Sequence, residues 1–532
     1  MRKISIGFFF VLGVCLFQGQ AQVDMSDPLI RAVFETYDEI LAKNPEDYMT
    51  YYRRAMDYYA YGDTDRALAD MERAMGCLPK REKSIARQKE NIVLLYLLRA
   101  ELYERKQEYS RAEADWNKAC SLQPDSPAAL AGRASSYMRN GCWDDAAADY
   151  RSILRIDPRS RTAYFGLARI AAEQGRNEEA TDLLNTAVAF TPARPDVYME
   201  RADIYRRMGM LREEIADLVA VLTMDDANRE AAQRLIVYGD TDFDTVVKEI
   251  GAAIRRHSGA DMLYYIRAVV SKNNRKYAQA LSDLKIILGN RKFYTSSLFY
   301  DRAYCYFHRG LFAEALEDMD MAMRLAEVTP DMGALQIRIL RALGRVDEAI
   351  RVVNRFLKRY VSSDDLYLLR ALLAHDKGDW QTALQSVRKA IALNAGNLQA
   401  RLLSAEWSDD EECARREYEQ LAEQAACSKL PDASWYRCVA LSALDASDEL
   451  TEALEIWSRE EKENARIGYG LACLYAAAGD EAEALACLDR ALSAGYDDAY
   501  RLNSYSDSKY SLRSLRSLPE FEELKTRYPS SF

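Results

Sequence analysis

A period of 34 residues recurs through the chain and constrains its fold more than any single residue does. Three residue types keep this spacing over successive copies: Gly141, Gly175 and Gly209; Pro124, Pro158 and Pro192; Ala134, Ala168 and Ala202. A fixed period of this length is typical of stacked copies of one supersecondary unit, each contacting only its neighbours. The function of such a chain is expected on the surface that the stack presents.

Each period contains two segments of helical spacing separated by a turn. In residues 127–160, apolar residues recur every three or four positions on both sides of Gly141, and Pro158 closes the second segment. The pattern resembles the tetratricopeptide repeat, which has a small residue at position 8, glycine at 15, alanine at 20 and proline at 32. The resemblance implies an all-α fold: an α-solenoid superhelix of stacked helix-turn-helix repeats, without a sheet.

The repeat register also predicts how the chain is divided. The predicted parts are a signal peptide at 1–21, an N-terminal capping helix at 22–47, repeat arrays at 48–258 and 261–431, a repeat pair at 434–495, and a C-terminal capping helix and tail at 496–532. Both arrays end in a degenerate copy, at 229–258 and 398–431. A degenerate copy keeps apolar residues but loses the pattern of small residues and turn glycine.

Two positions of the repeat carry opposite charges that change together. Position 7, usually apolar in the family, is arginine in seven copies: Arg54, Arg99, Arg133, Arg201, Arg267, Arg302 and Arg370. Position 23 is aspartate in the first six of these: Asp70, Asp115, Asp149, Asp217, Asp283 and Asp318. The copy at 161 replaces both at once, with Leu167 and Leu183. We therefore predict an arginine–aspartate pair inside each hairpin, rather than a ladder of arginines that binds an anionic ligand.

The first residues are typical of a secretory signal. Arg2 and Lys3 precede an apolar run over 4–17, which is short for a membrane span, and small residues stand at Gly19 and Ala21. Cleavage is expected after Ala21, giving an exported, periplasmic chain. The alternative is a lipid anchor on Cys15, although Val14 is larger than the residue that such signals prefer. Peripheral association with the envelope is expected in that case.

Composition narrows the class of partner. The chain has 532 residues and a formal net charge of −11, which argues against a nucleic-acid partner. No Asn-X-Ser/Thr acceptor occurs in the sequence, which favours a bacterial envelope over a eukaryotic secreted protein. Ten cysteines at irregular spacing do not form the framework of a small disulfide-rich domain.

The sequence carries no recognised catalytic or metal-binding motif. The three histidines, His257, His308 and His375, are far apart, and paired Cys-X-X-Cys, phosphate-loop, dinucleotide and nucleophile-elbow motifs do not occur. We therefore expect no enzyme activity, no cofactor and no metal site.

Tetratricopeptide arrays bind partners on a concave face lined by their first helices, and this resemblance selects the candidate site. The predicted partner-binding residues are Arg169 and Arg206 in the earlier copies and Tyr265, Tyr300, Tyr304 and Phe307 in the later ones. Arginine and aromatic side chains are common binding anchors. The lysine of the family's carboxylate clamp at position 5 is missing, so that mode is disfavoured.

The sequence thus favours a non-enzymatic protein–protein interaction scaffold of the bacterial envelope, with an extended or helical partner segment in its groove. The alternative is a protein that binds polysaccharide or peptidoglycan through the tyrosine-rich later copies.

Overall fold

The computed structural model describes residues 28–79, 88–257, 261–289, 295–428, 430, 432–458, 465–503 and 510–532. The predicted signal peptide and Cys15 lie outside them. The described residues contain 29 α-helices, one short 3-10 helix and no strand, which confirms the all-α prediction. The chain separates into two compact units, Met1–Glu214 and Ile215–Phe532, with the boundary inside one helix. The predicted divisions at 258, 431 and 495 follow the repeat register and stay predictions.

The first unit is a succession of paired helices. They are α1 (Pro28–Lys43), α2 (Tyr48–Ala60), α3 (Thr64–Gly76), α4 (Lys89–Arg105), α5 (Tyr109–Leu122), α6 (Pro127–Arg139), α7 (Trp143–Ile156), α8 (Arg161–Glu173), α9 (Asn177–Phe190) and α10 (Pro195–Arg207). Helix α11 (Leu211–Met224) contains the boundary.

The second unit continues with the same alternation. It contains α12 (Arg229–Thr241), α13 (Phe243–Arg256), α14 (Asp261–Asn273), α15 (Tyr277–Gly289), α16 (Ser296–His308), α17 (Phe312–Leu325), α18 (Pro330–Ala342), α19 (Val346–Arg359), α20 (Asp364–Asp376), α21 (Trp380–Leu393), α22 (Leu398–Glu406), α23 (Glu411–Cys427), α24 (Ala433–Ala443), α25 (Ser447–Ser458), α26 (Ala465–Ala478), α27 (Glu481–Ser493), α28 (Ala499–Asn503), the 3-10 helix Ser514–Ser517 and α29 (Pro519–Arg527).

The degenerate copies still form helix pairs. In the copy at 229–258, Asp242 alone separates α12 from α13, and its side chain accepts a hydrogen bond from the Thr245 N–H as the cap of α13. The turn glycine is unnecessary because one capping residue makes the reversal. Gly239 serves packing instead, since a Cβ there would lie 2.5 Å from the Val270 side chain.

A glycine next to a large ring brings successive hairpins together in the first unit. A Cβ on Gly166 of α8 would lie 2.3 Å from the ring of Tyr150 on α7, and a Cβ on Gly132 would lie 2.5 Å from the ring of Trp116. The bulky residue of one copy therefore packs flat on the backbone of the next. This contact makes the interior between copies continuous.

The predicted charge pairs are confirmed in five hairpins. In each, the arginine donates from Nε and Nη2 to the two carboxylate oxygens of the aspartate at 2.6–2.8 Å: Arg54–Asp70, Arg99–Asp115, Arg133–Asp149, Arg267–Asp283 and Arg302–Asp318. The seventh arginine, Arg370, donates to the Ser386 hydroxyl at 2.9 Å. Arg201 donates to Asn185 at 2.8 Å, and its pairing with Asp217 stays a prediction.

Aromatic rings hold these guanidinium groups in place, a contact that the sequence analysis did not anticipate. The Arg99 guanidinium lies 5.8 Å from the Tyr96 ring and 5.6 Å from the Tyr103 ring. Arg302 lies similarly between Phe299 and Tyr306. The rings stand three residues before and four residues after the arginine, so one helical stripe supplies both.

Most turns between paired helices contain a residue with positive φ, and this residue offers a test of backbone strain. Gly141 has φ 72° there, whereas Gln107 adopts φ 62° in the equivalent turn. Because a side chain is strained in this region, Gln107→Gly should raise stability by about 1 kcal/mol. Thermal melts and hydrogen exchange of α4 and α5 measure this change. Gln174→Gly is the matched control, since Gln174 has φ −90° and the change should be neutral or destabilising.

Candidate functional site

The predicted aromatic residues come together on two neighbouring first helices of the second unit. Tyr300 and Tyr304 lie one turn apart on α16, and both are half-buried. Tyr265 on α14 donates from its hydroxyl to Asp301 at 3.2 Å, and Lys272 donates to the same carboxylate at 2.5 Å. Burial, with the Asp331 charge adding to it, raises the pKa of Tyr300 to about 12. Tyr300 therefore presents a neutral hydroxyl at physiological pH.

Phe307, the fourth predicted residue, is only 3% exposed. Its ring centroid lies 4.4 Å from that of Tyr500, which belongs to the C-terminal segment of the same unit. Phe307 therefore packs against the chain itself. A partner that reached its ring would have to displace Tyr500. The half-buried aromatic strip consists of the other three residues, Tyr265, Tyr300 and Tyr304.

A short C-terminal segment, residues 494–501, docks against the turns that flank α15 and α16. The carboxylate of Asp497 accepts the backbone N–H of Tyr277 at 3.3 Å and of Ala278 at 2.9 Å. Lys276 donates to the Ala494 and Gly495 carbonyls. These bonds satisfy the first amides of α15 and the last carbonyls beyond α27 with groups about 220 residues away in sequence.

The neighbouring residue Asp498 is fully buried and holds the second half of this contact. Its Oδ2 lies 3.1 Å from His308 Nδ1 and 3.5 Å from Arg501 Nε. Burial alone would raise the pKa of the Asp498 carboxyl, but His308 and Arg501 outweigh burial and hold it below its usual value. The Asp498 carboxylate is therefore ionised and pairs with His308 on α16. We call this contact between residues 494–501 and helices α15 and α16 the closure.

A cavity of about 420 Å³, partly open to solvent, lies inside the second unit beside the strip. Its aromatic wall contains Tyr304, Trp435, Tyr436, Trp457, Tyr469 and Tyr500. Its aliphatic wall contains Leu335, Leu368, Leu369, Leu372, Leu402 and Leu403. Arg338, Arg341, Arg466 and Arg501 supply positive charge, and Asp432 supplies negative charge. Apolar walls with a few convergent polar groups are typical of ligand sites.

Three arginines converge on Asp432 at one end of this cavity. Arg275 lies 3.5 Å and Arg501 3.8 Å from Oδ2, and Arg466 pairs with Oδ1. Burial, together with the charges of Arg275 and Arg501, lowers the pKa of Arg466 to about 9. Among the described residues, the Asp432 carboxylate is thus shared by three arginines, one of which also pairs with Asp498.

The two predicted arginines of the first unit have carboxylate partners of their own. Arg169 donates to Glu200 at 2.8 Å, and Arg206 donates to Asp203 at 3.2 Å. Both arginines remain partly exposed, with side-chain exposures of 41% and 53%. Their role in partner binding stays a prediction, as it does for the four aromatic residues.

Four residues that line the cavity were not predicted from the sequence. Trp435, Trp457, Arg466 and Arg501 come from parts of the chain that the repeat register treated as an ordinary repeat pair and a tail. The run Tyr496-Asp497-Asp498, directly after the last helix of the array, was the available signal. Two adjacent carboxylates next to an aromatic residue indicate a segment that packs against the rest of the protein, rather than a solvated tail.

Within the described residues, no group of three or more histidine, cysteine, aspartate or glutamate side chains could hold a metal ion. The helices there are also too short or too polar to cross a membrane.

Known proteins share the repeat. The family model described as tetratricopeptide repeat matches residues 97–161, 131–196 and 335–397. Human tetratricopeptide repeat protein 13 is 24% identical over 190 residues, which are 35% of this chain and 18% of that protein. Small glutamine-rich tetratricopeptide repeat-containing protein 2 of Mycosarcoma maydis is 30% identical over 86 residues, 16% of this chain and 24% of that protein. The chain thus spans less than a quarter of the length of these curated relatives.

Solved structures with a similar repeat include a tetratricopeptide repeat protein from Parabacteroides merdae and YrrB, a tetratricopeptide repeat protein with an unusual peptide-binding site. Each is 16% identical with a TM-score of 0.27; they cover 55% and 37% of this chain, and 98% and 96% of their own chains.

The repeated helical hairpins and the three family-model matches define an α-solenoid interaction module. The chain contains tetratricopeptide repeats over the residues that the family model matches. Members of this family are generally non-enzymatic and serve as protein–protein interaction scaffolds.

Proposed function

We propose that this protein is a non-enzymatic scaffold of the bacterial envelope, and that its second unit holds an extended or helical segment of a protein partner. The observation that carries the proposal is the strip of half-buried rings on α14 and α16, which opens onto a cavity of about 420 Å³. Rigid tyrosine side chains bury a large area and lose little entropy on binding. The tyrosine hydroxyls and the arginines at its edge provide the polar contacts that fix orientation.

Capture experiments with single variants test this proposal. Immobilised protein is incubated with solubilised bacterial envelopes, and the bound proteins are identified by mass spectrometry. Tyr300→Ala and Tyr304→Ala should each weaken capture of the specific partner at least about tenfold, since hot-spot aromatic residues contribute about 2 kcal/mol or more. Tyr264→Ala is the matched control, because the Tyr264 ring packs against the Arg267 guanidinium, which lies 5.6 Å from the ring centroid.

The control variant separates a loss of binding from a loss of stability. If all three variants lower the melting temperature equally and none changes capture, the strip is part of the core and the proposal is wrong. Enrichment of glycan fragments in place of a polypeptide would instead support a polysaccharide-binding protein.

Export is the second part of the proposal. It rests on Arg2, Lys3, the apolar run at 4–17 and the small residues Gly19 and Ala21. Intact-mass measurement of the protein from an expressing bacterium should give a chain that begins at Gln22. A chain that begins at Cys15 with an added lipid mass would assign the lipid-anchored alternative, and an uncut chain in the cytoplasm would contradict export.

A further inference from the structure

Among the residues that the structure describes, arginines outnumber carboxylates around the cavity of the second unit. Five guanidinium groups line it or pair with the residues that line it: Arg275, Arg338, Arg341, Arg466 and Arg501. Three carboxylates pair with them: Asp376, Asp432 and Asp498. The imbalance occurs in a chain whose overall net charge is −11, so it is a local feature and not a consequence of composition.

The individual pairs show where the excess lies. Arg341 is matched, because it contacts both carboxylate oxygens of Asp376 at 2.6 and 2.8 Å. Asp432 is shared among three arginines, and Arg501 is divided between Asp432 and Asp498. Withdrawing cations from water is costly unless each finds a counter-charge. An additional anion at this end of the cavity would lower that cost.

Arg338 is the side chain best placed to receive such an anion. It lies on α18 in the cavity wall and is half-buried, and no hydrogen bond or ion pair joins it to the residues that the structure describes. The planar guanidinium presents five donors that match a carboxylate in a two-point contact. Among the residues that the structure describes, this donor group of fixed geometry lies in the cavity wall without an acceptor.

The remaining walls indicate what the anion is attached to. Leu368, Leu372 and Leu402 line the cavity, and Trp435 and Trp457 line it with large rings. Burial of an apolar group against these side chains removes apolar surface from water. They suit an aromatic or aliphatic side chain next to the charged group.

We propose that this cavity binds a carboxylate carried beside an aromatic or apolar group, and that its natural source is an acidic segment of the partner polypeptide. The inference rests on the proposed scaffold function and deepens it. Arg338 provides the two-point contact, Arg466 and Arg501 provide the positive field, and the leucine and tryptophan walls accept the neighbouring apolar side chain. Partner recognition then combines a charge contact in the cavity with ring contacts along Tyr300 and Tyr304.

A pair of matched small probes tests the carboxylate requirement on the full-length chain. N-acetyl-phenylalanine carries the carboxylate, and N-acetyl-phenylalaninamide has the same ring without the charge. Binding is followed by tryptophan fluorescence, since Trp435 and Trp457 line the cavity. The acid should bind saturably and at least about tenfold more tightly than the amide, and added salt should narrow the difference.

Arg338→Gln is the decisive variant, because it removes the charge from a residue that makes no ion pair within the described part of the chain. It should keep the wild-type melting temperature and lose the preference for the acid. Arg338→Lys should keep part of the preference, and Arg388→Gln, on an exposed face of α21, should keep all of it. A preference that survives in folded Arg338→Gln would overturn the assignment of Arg338.

Other outcomes separate this inference from the scaffold proposal. Equal binding of acid and amide, tighter binding of glucuronate than of the acid probe, or binding of sulfate as tightly as the acid probe would overturn the inference. Envelope capture that depends on Tyr300 would still support the scaffold in each of these cases. Loss of capture in Arg338→Gln together with loss of acid preference would support both.

Discussion

Arg133→Ala is expected to destabilise the hairpin of α6 and α7 by about 3 kcal/mol, because it leaves the carboxylate of Asp149 buried without its partner. The Asp149 side chain is 9% exposed and accepts two hydrogen bonds from Arg133 at 2.7 Å. These bonds raise the pKa of Arg133 above its usual value, so the guanidinium stays charged at any pH at which the protein is folded. Hydrogen exchange of the two helices in the full-length chain measures the change locally.

The double variant Arg133→Leu with Asp149→Leu should be far less destabilised, within about 1 kcal/mol of the wild type. It copies Leu167 and Leu183, which the chain already uses in the next hairpin. An apolar pair of similar volume often replaces a buried ion pair at little cost. Arg155→Ala, at an exposed position of α7, is the control. Equal exchange rates in the single and double variants would show that solvent screens the pair and that it contributes nothing.

Asp498→Ala is expected to open the contact between residues 494–501 and helices α15 and α16, at a cost of about 3–5 kcal/mol. The substitution removes the carboxylate that pairs with His308 and Arg501 and accepts the Arg501 N–H at 3.2 Å. His308 then loses its carboxylate partner, and among the described residues Arg501 keeps only Asp432, at 3.8 Å. The amides of Tyr277 and Ala278, which bond to Asp497, should then exchange at least about a hundredfold faster.

The control for this variant is Asp489→Ala on α27. Asp489 is a partly exposed carboxylate that pairs with Arg527 and does not contact the closure. Unchanged protection of Tyr277 and Ala278 in Asp498→Ala would show that the aromatic contacts alone hold the segment in place.

The stability that Asp498 gives to this contact should decrease as the pH is lowered. The pKa of Asp498 is held below its unfolded value of about 3.9. The contribution of Asp498 to folding stability is therefore complete above that pH and is lost as the pH falls through the lower folded pKa. Burial raises the pKa of Asp497, so this neighbour works in the opposite sense and opposes folding once the pH rises above the unfolded value. Substitution of Asp498 is therefore a cleaner test than acidification.

The sequence predicted those parts of the structure that repeat. The helix pairs, the turn glycines and the five arginine–aspartate pairs follow from a period of 34, because each contact joins residues a fixed distance apart. Arg133 and Asp149, for example, are separated by 16 residues, as are all the other pairs. A periodic signal therefore contains both partners in each copy that keeps the pair.

The closure and the cavity could not be predicted in the same way. His308 and Asp498 are 190 residues apart, and no other copy repeats their contact. The contact joins residues about 190–220 positions apart, and a pattern with a period of 34 does not encode a pairing over that distance. Arg338, Arg466 and Trp435 gain their importance only from that contact.

Site-specific photocrosslinking tests the central claim that a polypeptide partner binds on the strip. A benzophenone amino acid is placed at Tyr300, and in a second protein at Ile286, which is 41% exposed on a second helix of the same unit. Irradiation in bacterial envelopes should crosslink position 300, and not position 286, to one polypeptide, and free N-acetyl-phenylalanine should compete. Equal crosslinking at both positions, or adducts at position 300 that contain only glycan, would contradict the account.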